Sequence, residues 1–416
     1  MATHGESDQT PPQTQDPAPA EPDTGRNLNR RRALTGAAIV GAGVAAGAGI
    51  GAFAAAKESQ PTATYTPPPK YATFTTTVFD GIHPAETFTV DVVDGQFDSV
   101  TVADADGNEV DGDLDDGATQ WKSKGVMLAE HEYTVTAKAT SVDDKAGEFT
   151  QAFTTGSVDT GDFTVVDVTP TGDDFVGVGA PIIVDFNKPA PDKKAVEKLL
   201  RVESEHEHKG AWRWIGETRA VYRTEEYWKP HQKVTFTADL KSAYIGNDEW
   251  GGESYTVDLK IGREFITKTD LATHQMDIFI DGALDRSYPT SGGKEGFLTP
   301  EGVYLVMVHE GTVRMIPDLP EDHPEYYDLD VEWSTRMNWS GIYVHAAPWS
   351  ESDQGKRNVS HGCLNLMPDR AKWFHENSRR GDPIEVVNTG RPLPWDDGWS
   401  FWQMDFDSWK EGSALV

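Results

Sequence analysis

The sequence predicts a mainly β protein: two β-sandwiches in tandem, then a β-rich domain with one short helix and a Trp-rich C-terminal subdomain. Three observations favour this fold class. Short stretches of alternating polar and apolar residues recur beyond residue 70. Turn-forming Gly, Asp and Pro residues separate these stretches, and helical spacing is confined to short segments. At 416 residues the chain is long enough for several domains.

The charge of the chain narrows the classes of binding partner. Lys and Arg number 37 against 68 Asp and Glu, which gives a formal net charge of −31. Binding to nucleic acid or to an anionic membrane surface depends on a basic footprint, which this composition does not provide. We therefore expect no nucleic-acid partner, and membrane contact only through the N-terminal segment.

The N-terminal part of the chain has the layout of an export signal followed by a spacer. Residues 1–32 are polar, rich in proline and end in a basic cluster, so we expect a disordered N-region. Residues 33–56 are uncharged and follow an Arg-Arg pair, as in a twin-arginine signal or a membrane anchor. Cleaved or retained, this segment places the rest of the chain at the extracytoplasmic face of the plasma membrane or in the cell wall. Residues 57–70 are predicted as a Pro-rich linker.

Two blocks of strand-like segments follow, at 71–158 and 159–263. The first contains alternating stretches such as Phe97–Val102, and the second contains apolar stretches such as Pro181–Phe186. One short helix is expected near Asp192–Leu200. Short strands at even spacing, in two blocks of similar length, predict tandem immunoglobulin-like domains.

The pattern changes from residue 264, and we predict a third domain over 264–388. It includes a strand at Gly302–Val308 and a helix at Pro368–Ser378, which has proline at its start and Gly381 just past its end. The long segment between the strand Gly302–Val308 and Ser340 is predicted to be a loop that acts as a lid or a binding element.

The last part of the chain, 389–416, is dense in tryptophan. Trp395, Trp399, Trp402 and Trp409 lie close together in sequence. Large aromatic side chains at this density favour a small packed subdomain over a free tail.

The only cysteine, Cys363, lies in the string Ser360–Asn365, which reads SHGCLN. Oxidising compartments favour paired cysteines, so an unpaired thiol in an exported chain suggests a nucleophile; an inert buried cysteine is the alternative. Gly362 lets the backbone expose successive N–H groups to a developing oxyanion. The N-terminus of the predicted helix that follows, if it reaches the thiol, would favour the thiolate.

His345 and His361 are the candidate bases for this thiol. A thiol that attacks an amide needs a proton acceptor, and the leaving amine needs that proton back. Histidine serves both needs near neutral pH. A zinc site with both histidines and Cys363 as ligands is the competing interpretation, although the two-residue separation of His361 and Cys363 suits structural zinc poorly. We expect neither a metal nor a cofactor.

These motifs resemble the signature of the YkuD-like L,D-transpeptidases of the mycobacterial or actinobacterial type. The resemblance rests on IYVHAAPWS at Ile342–Ser350, on SHGCLN at Ser360–Asn365, and on Trp373-Phe374 ahead of Arg380-Gly381-Asp382. Enzymes of this type have tandem immunoglobulin-like domains, a YkuD-type β-rich catalytic domain and a Trp-rich C-terminal subdomain. The resemblance therefore implies that 264–388 is the catalytic domain.

The resemblance implies a peptidoglycan L,D-transpeptidase. Cys363 would attack the third residue of a donor tetrapeptide stem, release D-Ala and form a thioester. The diaminopimelate side-chain amine of an acceptor stem would resolve the thioester as a 3→3 cross-link. Carbapenems are implied as inhibitors, and no cofactor is implied. Hydrolysis of the same thioester, an L,D-carboxypeptidase activity, stays open, as does a non-catalytic wall-binding protein.

The resemblance also assigns roles to single residues. His345 is the general base and His361 a further catalytic residue. The oxyanion hole consists of backbone N–H groups at His361, Gly362 and Cys363, together with Tyr327. Substrate contacts are implied for Met315, Tyr327, Tyr343, Trp349, Ser360 and Asn365. Ala346 stands where mycobacterial enzymes often have serine, so the orientation of His345 depends on whether its partner is a hydroxyl or a backbone carbonyl.

Overall fold

The first described part of the chain is a β-sandwich built from strands whose side chains alternate between core and solvent. The computed structural model describes residues 66–171 and 175–416. The strands of the first sandwich are β1 Thr73–Thr76, β2 Thr89–Val93, β3 Gly95–Ala103, β4 Gly112–Leu114, β5 Gln120–Ser123, β6 Glu132–Ser141 and β7 Ala146–Thr154. They form two antiparallel sheets of order β1-β2-β5-β4 and β3-β6-β7. Trp121, Val135 and Phe153 are buried in its core.

A second sandwich follows with its own core. Its elements are β8 Val165–Thr169, β9 Phe175–Val176, β10 Ile182–Phe186, α1 Lys193–Glu197, β11 Leu200–Ser204, β12 Gly210–Ile215, β13 Arg219–Thr224, β14 Gln232–Ala238, β15 Tyr244–Gly246, β16 Glu249–Trp250 and β17 Tyr255–Ile261. Its sheets have the orders β12-β13-β10-β8 and β11-β14-β17-β9, with β15 and β16 as a separate pair. Helix α1 is shorter than predicted because Leu200 already begins β11.

The third domain contains two sheets and one helix of ten residues. Its elements are β18 Phe265–Asp270, β19 Gln275–Ile280, β20 Ala283–Pro289, β21 Gly302–Leu305, β22 Val308–Met315, β23 Leu329–Arg336, β24 Tyr343–Ala346, a 3-10 turn Pro348–Ser350, β25 Leu364–Leu366, α2 Pro368–Asn377 and β26 Pro383–Val387. The sheet orders are β20-β19-β18-β26-β21 and β22-β23-β24-β25. Helix α2 packs its buried Ala371 and Phe374 into the domain core. The prediction of a mainly β chain is confirmed.

The long segment predicted as a loop is largely a β-hairpin. Strands β22 and β23 pair antiparallel, and 316–328, which we call the lid segment, connects them. The predicted strand Gly302–Val308 divides at Val306, whose N–H donates to Asp382 O, while the Met307 N–H donates to Arg336 O. The chain thus changes from one sheet to the other at this point, which the unbroken apolar run does not reveal.

The C-terminal residues pack against the second sandwich. They include a 3-10 turn, Ser400–Gln403, and helix α3, Phe406–Lys410. Trp409 is fully buried, and the guanidinium of Arg213 lies 5.0 Å from the Trp395 ring centre. Arg223 lies 4.9 Å from the Trp402 ring centre, and burial lowers its pKa to about 10. These contacts fix the second sandwich to the C-terminal subdomain.

Several predictions for the N-terminal part of the chain concern residues that the structure does not describe. The N-region 1–32, the signal or anchor 33–56 and residues 57–65 of the linker lie outside the described residues. Within 66–171 and 175–416, no helix combines the length and apolar character needed to cross a bilayer. The exact domain boundaries stay predictions.

Candidate active site

A pair of parallel strands brings His345 and Cys363 to one cavity. Strand β24 lies beside β25 with Val344 opposite Leu364 and His345 opposite Asn365. Cys363 directly precedes β25, and side chains two residues apart point to the same face of a strand. His345, Asn365 and Cys363 therefore face the same side. All three line a cavity with a volume of about 310 Å³.

A tight turn fixes the backbone around the thiol. The Ser360 hydroxyl donates to Cys363 O at 2.7 Å and accepts the Gly362 N–H at 3.0 Å. Gly362 has φ +127°, and a Cβ there would lie 2.7 Å from Ile342 Cδ1, so other residues would be strained. Thr299 Oγ1 donates to Gly362 O at 2.7 Å. Because Ser360 accepts the Gly362 N–H, that group is already engaged rather than free for an oxyanion.

His345 is buried and oriented by the backbone. Its Nδ1 lies 2.9 Å from Ala346 O. A carbonyl only accepts, so Nδ1 carries the hydrogen and Nε2 is left as a proton acceptor. Burial lowers the pKa of His345 to about 4, so the ring is neutral at pH 7. Ala346 supplies the orienting partner through its backbone carbonyl, so this orientation requires no side-chain hydroxyl at residue 346.

The Cys363 thiol is neutral in this environment. Its Sγ lies 3.6 Å from Gly341 O, and burial raises its pKa to about 11, against a weaker opposing effect from a backbone hydrogen bond with Tyr343. The expectation that a helix N-terminus favours the thiolate is not met, because strand β25 separates Cys363 from α2. Because the thiol and the His345 imidazole that line this cavity are both neutral, nucleophilic attack requires proton transfer from the thiol.

His361 faces the lid segment. Its ring centre lies 4.3 Å from that of Phe297 and 5.1 Å from that of Tyr327. Its Nε2 lies 3.2 Å from Glu325 Oε2 without the alignment of a hydrogen bond, and the two form an ion pair only when the imidazole is protonated. Burial lowers the pKa of His361, Lys294 lowers it further and Glu325 raises it.

The structure brings most of the expected substrate-contacting residues to the cavity. Its walls include Met315, Tyr327, Trp349, Ser360 and Asn365. Burial raises the pKa of Tyr327, so its hydroxyl keeps its proton. The Asn365 side-chain amide donates to Ser350 Oγ at 3.1 Å, which fixes its orientation.

Tyr343 is placed elsewhere. Its hydroxyl donates to Glu310 Oε2 at 2.9 Å, and the Arg336 guanidinium lies 4.6 Å from its ring centre. These contacts hold the ring away from the cavity walls. Further lining residues are not among the predicted ones, because they come from the hairpin and from the crossover between β24 and β25: Leu329, Val331, Ser350, Asp353 and Val359.

The two histidines and the cysteine do not form a metal-binding group. Within residues 66–171 and 175–416, no cluster of three or more His, Cys, Asp or Glu side chains is arranged to hold a metal ion. The arrangement at Cys363 instead provides a nucleophile, a proton acceptor and a cavity, the elements needed for acyl transfer.

Two family models match the chain. The model described as the L,D-transpeptidase catalytic domain, YkuD, matches residues 265–386. The model described as a bacterial Ig domain matches residues 80–243, which span parts of both sandwiches. The expectations of a YkuD catalytic domain and of immunoglobulin-like architecture are confirmed.

Relatives from Mycobacterium tuberculosis agree with these matches. L,D-transpeptidase 2 of strain CDC 1551 / Oshkosh is 32% identical over 329 residues, 78% of this chain and 80% of that protein. L,D-transpeptidase 1 of strain ATCC 25618 / H37Rv is 34% identical over 226 residues, 54% of this chain and 84% of that protein. A solved structure of the LD transpeptidase LdtMt1 in complex with imipenem is 34% identical and covers 54% of this chain and 98% of that chain, with a TM-score of 0.48.

The fold and the cysteine–histidine cavity define an acyltransferase class of protein. The chain belongs to the L,D-transpeptidase family.

The protonation states of the thiol and imidazole predict a pH dependence. Because the chain has one cysteine, alkylation by iodoacetamide reports on Cys363 alone. With a thiol pKa of about 11, we expect the alkylation rate to rise about tenfold per pH unit from pH 6 to pH 9. Circular dichroism at each pH controls for unfolding. A rate that is constant over this range would indicate a thiolate–imidazolium pair and contradict the neutral pair.

The carbonyl partner of His345 predicts that Ala346→Ser has little effect. Since Nδ1 already donates to the backbone oxygen of residue 346, an added hydroxyl supplies no missing orientation. We expect the rate of Cys363 acylation by a β-lactam probe to change by less than about threefold. Mass spectrometry over time measures this rate, and the melting temperature controls for stability. An acceleration above about tenfold would mean that the hydroxyl is the needed partner.

Proposed function

We propose that this chain is a cysteine-dependent L,D-transpeptidase that forms 3→3 cross-links in peptidoglycan. One observation supports the proposal above the others. The Cys363 thiol and the neutral His345 imidazole line one cavity, on strands whose parallel register places them on the same face. Membership of the L,D-transpeptidase family supplies the reaction class.

The first step we propose is acylation of Cys363. His345 Nε2 takes the thiol proton as Sγ attacks the carbonyl carbon of the third residue of the donor tetrapeptide stem. The carbonyl oxygen becomes an oxyanion, for which the N–H groups of His361 and Cys363 and the Tyr327 hydroxyl are the candidate donors. The C–N bond to D-Ala then breaks. The D-Ala nitrogen receives the proton from His345, and a thioester remains on Cys363.

The second step is transfer of the acyl group to an amine. The diaminopimelate side-chain amine of an acceptor stem attacks the thioester carbonyl and passes one proton to His345. The C–S bond breaks as the amide forms, and the sulfur regains its proton from His345. Water in place of the amine gives the L,D-carboxypeptidase reaction, which we propose as a side activity. Apolar cavity walls at Met315, Leu329 and Val331 disfavour water near the thioester.

Carbapenems follow from the same chemistry. The strained lactam carbonyl of a carbapenem presents an electrophile to the thiol, and ring opening leaves no small amine to depart. LdtMt1, a protein 34% identical in sequence, has been solved in complex with imipenem. We propose that carbapenems bind in the cavity of this chain and acylate Cys363.

The experiment that tests the proposed function measures intact mass. The chain is incubated with meropenem, or with a tetrapeptide stem containing diaminopimelate. We expect a one-to-one meropenem adduct, and from the stem a cross-linked dimer together with free D-Ala. Cys363→Ala is expected to give neither product while keeping the wild-type circular dichroism spectrum. Free D-Ala without dimer would assign hydrolysis as the main reaction. Peptidoglycan binding retained by Cys363→Ala, with no adduct on the wild type, would support a non-catalytic wall-binding protein.

We also propose that the chain works at the extracytoplasmic face of the plasma membrane or in the cell wall. The Arg-Arg pair followed by the uncharged segment 33–56 supports export, and so does a peptidoglycan substrate. The test uses cells whose wall has been made permeable to protease while the plasma membrane stays intact. An epitope tag fused to the C-terminus of this chain is expected to be digested when protease is added. A cytoplasmic marker protein, which must stay intact, is the control. Full protection of the epitope would contradict export.

A further inference from the structure

The lid segment makes a polar contact with the catalytic loop through one residue, Glu325. Its carboxylate pairs with the Lys294 ammonium and lies 3.2 Å from His361 Nε2. Lys294 and the proximity of His361 lower the pKa of Glu325, so this carboxylate is charged at neutral pH. We call Glu325, Lys294 and His361 together the latch.

Both partners of Glu325 are fixed to the loop that carries the nucleophile. The Lys294 N–H donates to Ser360 O at 3.0 Å, and Gly293 forms a β-bridge with Ser360. His361 lies within the turn between Ser360 and Cys363. The latch therefore joins the lid segment to backbone that is itself hydrogen-bonded to the turn around Cys363.

The lid segment has a second ion pair, which does not reach the catalytic loop. Asp328 accepts two hydrogen bonds from Arg314, at 2.7 Å and 2.6 Å. Arg314 is in β22, so this pair closes the base of the hairpin on itself. Tyr327 lies between the two ion pairs in sequence, with its ring against His361. The position of Tyr327 over the cavity thus depends on where Glu325 is held.

We propose that Glu325 is a positioning residue, which holds the lid segment against the catalytic loop through Lys294 and His361 and so places Tyr327 for the donor stem. Only the kinetic measurement depends on the proposed transpeptidation; lid exchange and the His361 pKa are measured without it. Glu325 touches neither Cys363 nor His345 in the geometry described, and its effect on the reaction passes through His361 and Tyr327.

The charges of the latch act on the pKa of His361, which gives a measurement that loss of structure alone does not reproduce. Burial is the main cause that lowers the pKa of His361; Lys294 and His323 lower it too, and Glu325 raises it. Glu325→Gln removes a carboxylate that raises this pKa, and Lys294→Met removes an ammonium that lowers it. Both variants break the same contact and expose His361 alike, so the charge that remains decides the difference between them. We therefore expect the His361 pKa to be lower in Glu325→Gln than in Lys294→Met.

The experiment compares the full chain with Glu325→Gln, Lys294→Met and Asp328→Asn. Asp328→Asn is the matched control, because it removes one negative charge and one ion pair from the same segment without touching His361. Hydrogen exchange of 316–328 measures release of the lid. NMR of ¹³C-labelled histidine measures the pKa of His361, with His361→Gln to assign its signal. Kinetics with the tetrapeptide donor measure KM and kcat separately.

We expect lid exchange to quicken at least about fivefold in Glu325→Gln and Lys294→Met. The pKa of His361 should be lower in Glu325→Gln than in Lys294→Met and stay unchanged in Asp328→Asn. Because Tyr327 is a candidate oxyanion donor, kcat/KM for the donor should fall about threefold to tenfold in both latch variants. Unchanged lid exchange in Glu325→Gln, or a His361 pKa that is no lower in Glu325→Gln than in Lys294→Met, would overturn the proposal. If the wild type forms no cross-link, exchange and titration still test the latch, and only the proposed function fails.

Discussion

The parallel pairing of β24 with β25 is the constraint on which the active site depends. Two parallel neighbours need a crossover connection, and here it runs from residue 347 to residue 363. That crossover contains Trp349 and the turn that begins at Ser360, so it forms part of the cavity wall and also positions Cys363. His345 is on one strand and Cys363 is at the entrance to the next, and the register between the strands fixes which side chains meet.

The burial that comes with this geometry also sets the proton positions. It shifts the two pKa values in opposite directions, down for His345 and up for Cys363, because burial disfavours whichever form is charged. The result is an uncharged pair that is stable at rest and becomes polar only when a carbonyl is attacked. The carbonyl of Ala346 completes this arrangement, since it selects the tautomer that leaves Nε2 free. In this chain the His345 ring is therefore oriented by a backbone carbonyl, without a side-chain hydroxyl.

Local sequence predicted the elements whose signals are local. The alternating strands, helix α2 with its terminal proline and glycine, and the motif around Cys363 all follow from neighbouring residues. The hairpin β22–β23 does not follow from local sequence, because its pairing joins residues on either side of the long lid segment. The direction of Tyr343 depends on Glu310 and Arg336, which come from other strands. Contacts of this kind are decided by packing of the whole domain, and a single sequence does not display them.

The contacts that hold the C-terminal subdomain differ in kind from those that hold the lid segment. On one side, Trp409 and the stacked Arg213 and Arg223 bury the C-terminal subdomain against the second sandwich. Separating that contact would expose large aromatic surfaces to water, which is costly. On the other side, the lid is held by the half-exposed Lys294–Glu325 pair, which water and salt weaken. Because one contact buries large aromatic surfaces and the other is a partly exposed ion pair, we expect the lid segment to separate from its partners at a smaller cost in free energy than the C-terminal subdomain does.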